Sequence, residues 1–277
     1  MRWTPGRRSD DLEDRRGTRV RAGVGIGLGG LLVLGLLTLI TGQNFLALVP
    51  QLASGPSEVE EGPIQSNPAE EKRVDFVSFV LDDAQNTWSR KLGSRYQNAK
   101  LVLFRDVTET GCGFGQAATG PFYCPEDHKV YIDLGFYDEL QRRFGAPGEF
   151  AQAYVLAHEI GHHVQNVLGI EPQVRRAMQQ RPDLRNDLSV RLELQADCLA
   201  GVWGHDTAQR QILEQGDIED GLRAAAAIGD DRIQRQTQGW VQPESFTHGS
   251  SAQRVEWFRR GLQSGDPQVC DTFQGGA

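Results

Sequence analysis

Apolar residues repeat at three- and four-residue intervals over much of the chain after Val74, which predicts a mainly helical folded domain of about 200 residues. Two compact apolar runs, Lys100–Phe104 and Lys129–Asp133, predict the strands of a small sheet, and a Gly- and Cys-rich loop lies between them. The predicted helices lie near Asp75–Leu92, Phe136–Phe144, Glu149–Leu168, Asp187–Trp203, Ile218–Gln236 and Ser251–Gln263.

The N-terminal pattern is different, because the stretch Ala22–Ile40 carries no charge and consists mostly of Leu, Gly, Val and Ile. Such a stretch is long enough to cross a bilayer as one helix. A cleaved signal peptide is the alternative, but its apolar core usually has about 7–15 residues and no A-x-A site follows here. We therefore expect an uncleaved anchor.

Charge around this stretch predicts its orientation. No Lys or Arg follows it until Lys72, whereas basic residues outnumber the four acids before it. The positive-inside rule then places the N-terminus in the cytoplasm and the bulk of the chain outside the cytoplasmic membrane, in the periplasm or the extracellular space. The basic residues before it are Arg2, Arg7, Arg8, Arg15, Arg16, Arg19 and Arg21.

These patterns divide the chain into a basic cytoplasmic arm at 1–21, a transmembrane anchor at 22–42, a flexible acidic linker at 43–72 and a folded domain at 73–277. The arm is expected to contact membrane lipid. Glycines spaced four apart in the anchor, from Gly23 onward, predict a homodimer through close helix pairing. The net charge of −8 and the lack of another basic cluster disfavour a nucleic-acid partner.

The segment His158-Glu159-Ile160-Gly161-His162 lies inside the predicted helix Glu149–Leu168. Two histidines four residues apart share one helix face and can bind one zinc ion, while the glutamate between them can reach a zinc-bound water. The chain has only six histidines, so a chance occurrence is rare. The alternative is a surface helix in which the histidines repeat by accident.

A catalytic zinc site needs a third protein ligand, which must come from elsewhere in the chain. A third histidine six residues after His162 would indicate a metzincin, but Leu168 stands there and excludes that class. Glu193 in the predicted helix Asp187–Trp203 is the best candidate, and Asp197 follows one turn later on the same face. Asp197 would accept a hydrogen bond from the free ring nitrogen of one zinc histidine. The alternative for both acids is a solvated helix surface.

Three ordered segments, 157–165, 193–201 and 247–254, resemble the putative neutral zinc metallopeptidase family, the YpfJ-like group, and the resemblance covers nearly the whole chain. The Glu-x-x-x-Asp element is also similar to that of gluzincins such as the HtpX-like membrane peptidases. The resemblance implies Glu193 as the third ligand, Asp197 as its supporting partner, and His248, followed by Arg254, as support for the oxyanion. Gly249 stands where those enzymes usually have Pro.

The expected fold is therefore an α+β, mainly helical zincin-like metallopeptidase domain with a small sheet, preceded by one transmembrane helix. The expected function is that of a membrane-anchored endopeptidase with one zinc ion, which hydrolyses proteins or peptides outside the cytoplasmic membrane. A zinc-bound water attacks the peptide bond, with Glu159 as general base and His248 as oxyanion donor. The alternative is a zinc-binding, catalytically silent scaffold, but a structural zinc site would need a fourth ligand and no base.

Four cysteines in a domain outside the cytoplasm predict two disulfides, Cys112 with Cys124 and Cys198 with Cys270, although other pairings or free thiols are the alternatives. The region 114–133 offers an edge strand for an extended substrate, or a hairpin without substrate contact. His163 points away from His162 around the helix and is expected to take a surface or hydrogen-bonding position. His128 and His205 are isolated in the sequence and receive no role.

Overall fold

The computed structural model describes residues 1–21, 58–117, 120–143, 145–146 and 148–273. The expected membrane span, together with the glycines expected to mediate a homodimer, lies outside these ranges. Among the helices of the described ranges, none is both long and apolar enough to cross a membrane.

Helices make up most of the described chain, as expected for a mainly helical α+β fold. We number them α1 Pro68–Leu92, α2 Gly135–Arg142, α3 Glu149–Val167, α4 Ile170–Gln180, α5 Arg185–Gln209, α6 Asp217–Ala227, α7 Asp230–Gln238 and α8 Ser251–Ser264.

The helices differ from the sequence prediction at several points, and α5 extends to Gln209 beyond the predicted end at Trp203. Helix α1 begins within the expected acidic linker, because the side chain of Asn67 accepts hydrogen bonds from the first-turn amides and Pro68 suits the first helical position. Helix α4 was not predicted. Gly169, whose backbone is in the left-handed conformation, separates α3 from a new helix that begins at the next residue. The predicted helix Ile218–Gln236 is two helices, α6 and α7, separated at Ile228 and Gly229.

A four-stranded sheet has the order β1-β4-β8-β7, and its two predicted strands are present with the predicted bounds. Strand β4 is parallel to both β1 and β8, and β7 is antiparallel to β8. Edge strand β7 therefore lies at one side of the sheet and β1 at the other. The strands are β1 Leu12–Asp14, β4 Lys100–Phe104, β7 Phe122–Cys124 and β8 Lys129–Asp133.

Two antiparallel pairs account for the remaining strands of the described residues. Strands β2 Thr18–Arg21 and β3 Glu58–Glu61 pair with each other, and β5 Val107–Thr110 pairs with β6 Gly113–Gln116. The expected Gly- and Cys-rich loop is thus largely a hairpin, which the Cys112–Cys124 disulfide joins to β7.

Residues of the segment 1–21, which the sequence predicts to be a separate cytoplasmic arm, pack against the folded domain. Strand β1 is part of the main sheet, and the buried side chain of Arg16 contacts Glu70 and Glu71 on α1. The physical reason is charge pairing, because Arg8 and Arg16 meet acidic partners on α1 that are distant in sequence.

The main core packs α1, α3, α5 and α8 around large buried side chains such as Trp88, Trp203 and Phe258. Helices α5 and α8 touch through their backbones at Gly261, where a Cβ atom would lie 1.9 Å from the Cys198 carbonyl oxygen. Any larger residue would force these helices apart. This close contact brings the first turn of α8, with Arg254, against the part of α5 that carries Asp197.

Candidate metal centre

Helix α3 places His158 and His162 on one face, with their ring centroids 4.8 Å apart. Helix α5 brings Glu193 opposite them. Its two carboxylate oxygens lie 3.2 Å from His158 Nε2 and 3.5 Å from His162 Nε2. Among the described residues, these three side chains form a group that could hold a metal ion, since their ligand atoms all lie within 4.8 Å of one another.

Gly161, within the motif, allows this convergence. A Cβ atom there would lie 2.8 Å from the carbonyl oxygen of Ala196 on α5, so α3 and α5 approach closely because position 161 has no side chain. A larger residue would push Glu193 away from the histidines.

The donor set fits zinc. Zinc prefers imidazole nitrogen and carboxylate oxygen at about 2.0–2.2 Å in tetrahedral geometry, which requires donor atoms about 3.3 Å apart. Burial alone would raise the pKa of Glu193, but His162 and His158 beside it hold that pKa well below its usual range. Glu193 is therefore an ionised carboxylate, as a ligand must be.

Asp197 supports His158 from the side opposite the ligand atom. Its Oδ1 lies 2.8 Å from His158 Nδ1 and also accepts a hydrogen bond from the Tyr154 hydroxyl. Arg254 donates to both oxygens of Asp197, at 2.8 and 2.9 Å. The Asp197 carboxylate is completely buried, and burial raises its pKa. Arg254 and His158 outweigh this effect and bring the pKa below its usual value, so the carboxylate stays ionised. This network orients His158 with Nε2 towards Glu193.

A different group supports His162. Its Nδ1 donates to the side-chain oxygen of Gln165 at 2.9 Å. The Gln165 amide in turn donates to the Leu192 carbonyl at 2.7 Å and to Gln195 Oε1 at 3.1 Å. Gln195 donates to the carbonyl of Cys270 at 3.0 Å. Neither glutamine was predicted from the sequence, although Gln165 stands three residues after His162, at a neighbouring position on the helix surface.

Glu159 is buried at the same site and is not one of the three clustered side chains. Burial raises its pKa, and the negative charge of Glu193 acts in the same direction, while His158 and His162 oppose it. A carboxylate with a raised pKa holds a proton more readily near neutral pH, as a general base requires.

His248 lies on the loop before α8 and is oriented by Asp230, which the sequence analysis did not identify. Asp230 accepts hydrogen bonds from the backbone amides of Thr247, His248 and Gly249, at 2.7, 2.6 and 3.1 Å. Its other oxygen lies 3.1 Å from His248 Nδ1. The hydrogen bond with Asp230 raises the pKa of the half-exposed His248 imidazole, and the negative charge of Glu193 adds to this increase.

The three candidate ligands, together with Glu159 and His248, face one cleft of about 750 Å³. Its lining includes His158, Glu159, His162, Glu193 and His248. Strand β7 contributes another wall through Phe122 and Tyr123, whereas β6 and β8 of the expected substrate region do not line the cleft.

Both expected disulfide pairings are present. Cys112–Cys124 joins the β5–β6 hairpin to β7, and Cys198–Cys270 joins α5 to the C-terminal segment. In the described part of the chain no cysteine is free.

His163 turns away from the ligand atoms, as expected. Its Nε2 donates to the Gln97 carbonyl at 2.6 Å, and its Nδ1 accepts from the Tyr123 hydroxyl at 3.0 Å, which connects α3 to β7. Burial lowers the pKa of His163 to about 4, so it stays neutral. His128 stacks edge-on near His163, and His205 contacts the Leu262 carbonyl, so neither contributes to the metal site.

Comparison with known proteins agrees with this geometry. A model of the family described as putative neutral zinc metallopeptidase matches residues 1–273. The chain is 49% identical to the uncharacterized protein YpfJ of Escherichia coli over 284 residues, which cover 99% of each chain. It is also 48% identical to the uncharacterized protein Rv2575 of Mycobacterium tuberculosis over 189 residues, which cover 64% of this chain and 63% of that one. No solved structure gives a significant match. The chain belongs to the putative neutral zinc metallopeptidase family.

Proposed function

We propose that this protein is a membrane-anchored zinc endopeptidase that hydrolyses proteins or peptides outside the cytoplasmic membrane. One observation carries the proposal: His158, His162 and Glu193 converge beside the buried carboxylate of Glu159 in a cleft large enough for a peptide. Three protein ligands are typical of catalytic zinc sites, and a carboxylate next to them has no purpose in a structural site.

Zinc held by His158, His162 and Glu193 would supply a Lewis acid that polarises a carbonyl and increases the acidity of water. Glu159 takes the proton from the water that attacks the peptide carbon, and its raised pKa favours this proton acceptance. The proton then moves from Glu159 to the amide nitrogen as the C–N bond breaks, which releases the amine.

His248 stabilises the negative charge that develops on the carbonyl oxygen. Asp230 holds the ring at Nδ1 and favours its protonated form, so the Nε2 hydrogen is available as a donor. Removal of one such donor typically lowers the rate about 10²–10³-fold.

The edge strand β7 supports an extended substrate. In the described part of the sheet, β7 pairs with β8 on one side only, and its residues Phe122 and Tyr123 line the cleft. A peptide could add along this edge through main-chain hydrogen bonds and so place an internal bond near the three ligands. This geometry favours an endopeptidase.

Two disulfides support a location outside the cytoplasm, because such bonds persist in oxidising compartments. The uncharged stretch Ala22–Ile40 supports membrane attachment, as a stretch of this length can lie within a bilayer.

The test compares the purified full-length chain with its Glu159→Gln variant in a peptide-library cleavage assay, after metal analysis of both. We expect about one zinc per chain in both proteins and at least a 100-fold slower cleavage by the variant. Glu256→Gln, at an exposed position on α8, is the matched control and should cleave at the parent rate. Equal cleavage by Glu159→Gln would disprove the mechanism, and bound zinc without any cleavage would favour a silent scaffold.

A further inference from the structure

We propose that residues 1–21 and the metallopeptidase domain lie on the same side of the membrane, so that the apolar stretch Ala22–Ile40 does not separate them by a single crossing. The first support is the sheet itself. Strand β1 pairs with β4 from Leu12 opposite Leu101 to Asp14 opposite Leu103. The backbone bonds continue beyond the strand, since the Leu101 amide donates to the Asp11 carbonyl at 2.8 Å and the Arg15 amide donates to the Leu103 carbonyl at 2.7 Å.

The first residues of the chain are also attached to the domain. The Met1 amine lies 3.1 Å from a carboxylate oxygen of Asp217, at the start of α6. Trp3 packs against Phe76 on α1 with ring centroids 5.3 Å apart, and its indole nitrogen donates to Glu149 at 2.9 Å. Glu149 is the first residue of the metal-binding helix α3. The N-terminal segment therefore contacts three helices as well as the sheet.

Two arginines of this segment, Arg8 and Arg16, are paired with acids of α1. Arg16, with a side chain only 1% exposed, lies 3.1 Å from Glu70 and 2.9 Å from Glu71. Arg8 lies 2.6 Å from Glu71 and 2.8 Å from Asp75. If the segment were on the other side of a membrane, these acids of α1 would lose their partners. The part of the arginine excess that Arg8 and Arg16 contribute thus has a structural explanation within the fold.

The two ends of the region 22–57 also lie next to each other. In the antiparallel pair β2–β3, Arg21 stands opposite Glu58, so the chain departs from the domain and returns to it at neighbouring positions. A single crossing would separate these two positions by the thickness of the bilayer, about 30 Å of hydrocarbon. The neighbouring positions of Arg21 and Glu58 are therefore incompatible with a single crossing between them.

The experiment uses two full-length variants, Thr4→Cys in the N-terminal segment and Gln263→Cys on α8, both at exposed positions. The four native cysteines form the two disulfides, so the added thiol is the reactive one in each protein. Intact spheroplasts are treated with a membrane-impermeant maleimide, and labelling is compared with that after lysis. The parent chain is the background control.

We expect both thiols to be labelled from outside to the same extent, within about twofold. If only one of the two variants, Gln263→Cys or Thr4→Cys, were labelled in intact spheroplasts, the proposal would be overturned. Protection of both thiols until lysis would still support a shared side, but would contradict the location given in the proposed function.

A second measurement tests whether the segment is docked in the membrane-bound protein. Arg16→Gln removes the buried pairs with α1, whereas Arg7→Gln removes only an exposed pair with Asp10 inside the segment. We expect the melting temperature of the membrane-bound chain to fall by at least about 5 °C for Arg16→Gln and to change by less than about 2 °C for Arg7→Gln. Equal effects of the two substitutions would contradict docking.

Discussion

His158 Nδ1 lies 2.8 Å from Oδ1 of Asp197, a completely buried carboxylate one helix turn beyond Glu193. Helix α5 thus supplies both a candidate metal ligand and the acceptor that fixes the ring of another ligand. The spacing of four residues between Glu193 and Asp197 is what places the two carboxylates on the same face.

Asp197→Asn should weaken zinc binding about 10–100-fold, because the amide cannot replace the ionic support of His158. The substitution also leaves the buried Arg254 without its carboxylate, which should lower the free energy of unfolding by about 3–5 kcal/mol. Competition with a zinc-binding dye measures the affinity, and urea unfolding measures the stability. Asp187→Asn, at an exposed acid of the same helix, is the control and should leave both quantities nearly unchanged.

Gln165→Leu should lower zinc affinity about tenfold or more, since His162 Nδ1 then loses its acceptor. Leucine has a similar volume, so the packing of α3 against α5 is largely kept. The matched control is Gln179→Leu at an exposed position of α4. Equal zinc affinities for the two variants would show that Gln165 does not support the ligand.

The pH dependence of kcat/KM should report the pair His248 and Asp230. Asp230 raises the pKa of His248, and the protonated ring is the better donor, so activity should fall as pH rises through that pKa. Asp230→Asn removes the interaction and should move this fall to lower pH. His248→Gln should lower the rate about 100-fold and abolish the fall. An unchanged pH profile in Asp230→Asn would argue against the pairing.

Glu13 should contribute to stability against acid. Burial would raise its pKa, but hydrogen bonds from Lys129 and Arg15 outweigh this effect and lower the pKa to about 2, from 4.5 for the free side chain. The contribution is therefore present above pH 4.5 and is lost as pH falls towards 2. Because Glu13 is about one quarter exposed, solvent screening reduces its contribution to the free energy of unfolding to about 1–2 kcal/mol.

Urea unfolding at several pH values measures this contribution. The parent should lose more unfolding free energy than Glu13→Gln between pH 4.5 and 2, whereas Glu256→Gln, at an exposed position, should behave like the parent. Parallel pH curves for the parent and Glu13→Gln would contradict the expectation.

Local patterns predicted the parts of the site that depend on one element. Helix periodicity and spacing located His158, Glu159 and His162 on α3, and compact apolar runs located β4 and β8 with their bounds. These features are encoded within a few consecutive residues, so a single sequence reveals them.

Contacts between distant segments could not be predicted in this way. Asp230 reaches His248 across 18 residues, and Gln165 meets Gln195 from another helix. In a single sequence, an acidic residue that is exposed to solvent looks the same as one that belongs to a buried hydrogen-bond network. Arg8 and Arg16 illustrate the same limit, because they add to the basic count of the N-terminal segment while their partner Glu71 on α1 became visible only in three dimensions.

The bond between Cys198 and Cys270 has a consequence for how the protein matures. The Cys270 carbonyl accepts from Gln195, which contacts Gln165, which accepts from His162. We expect a chain with reduced cysteines to hold the C-terminal segment, and hence this series of hydrogen bonds, less firmly. A newly made chain would then hold its metal tightly only after this disulfide had formed.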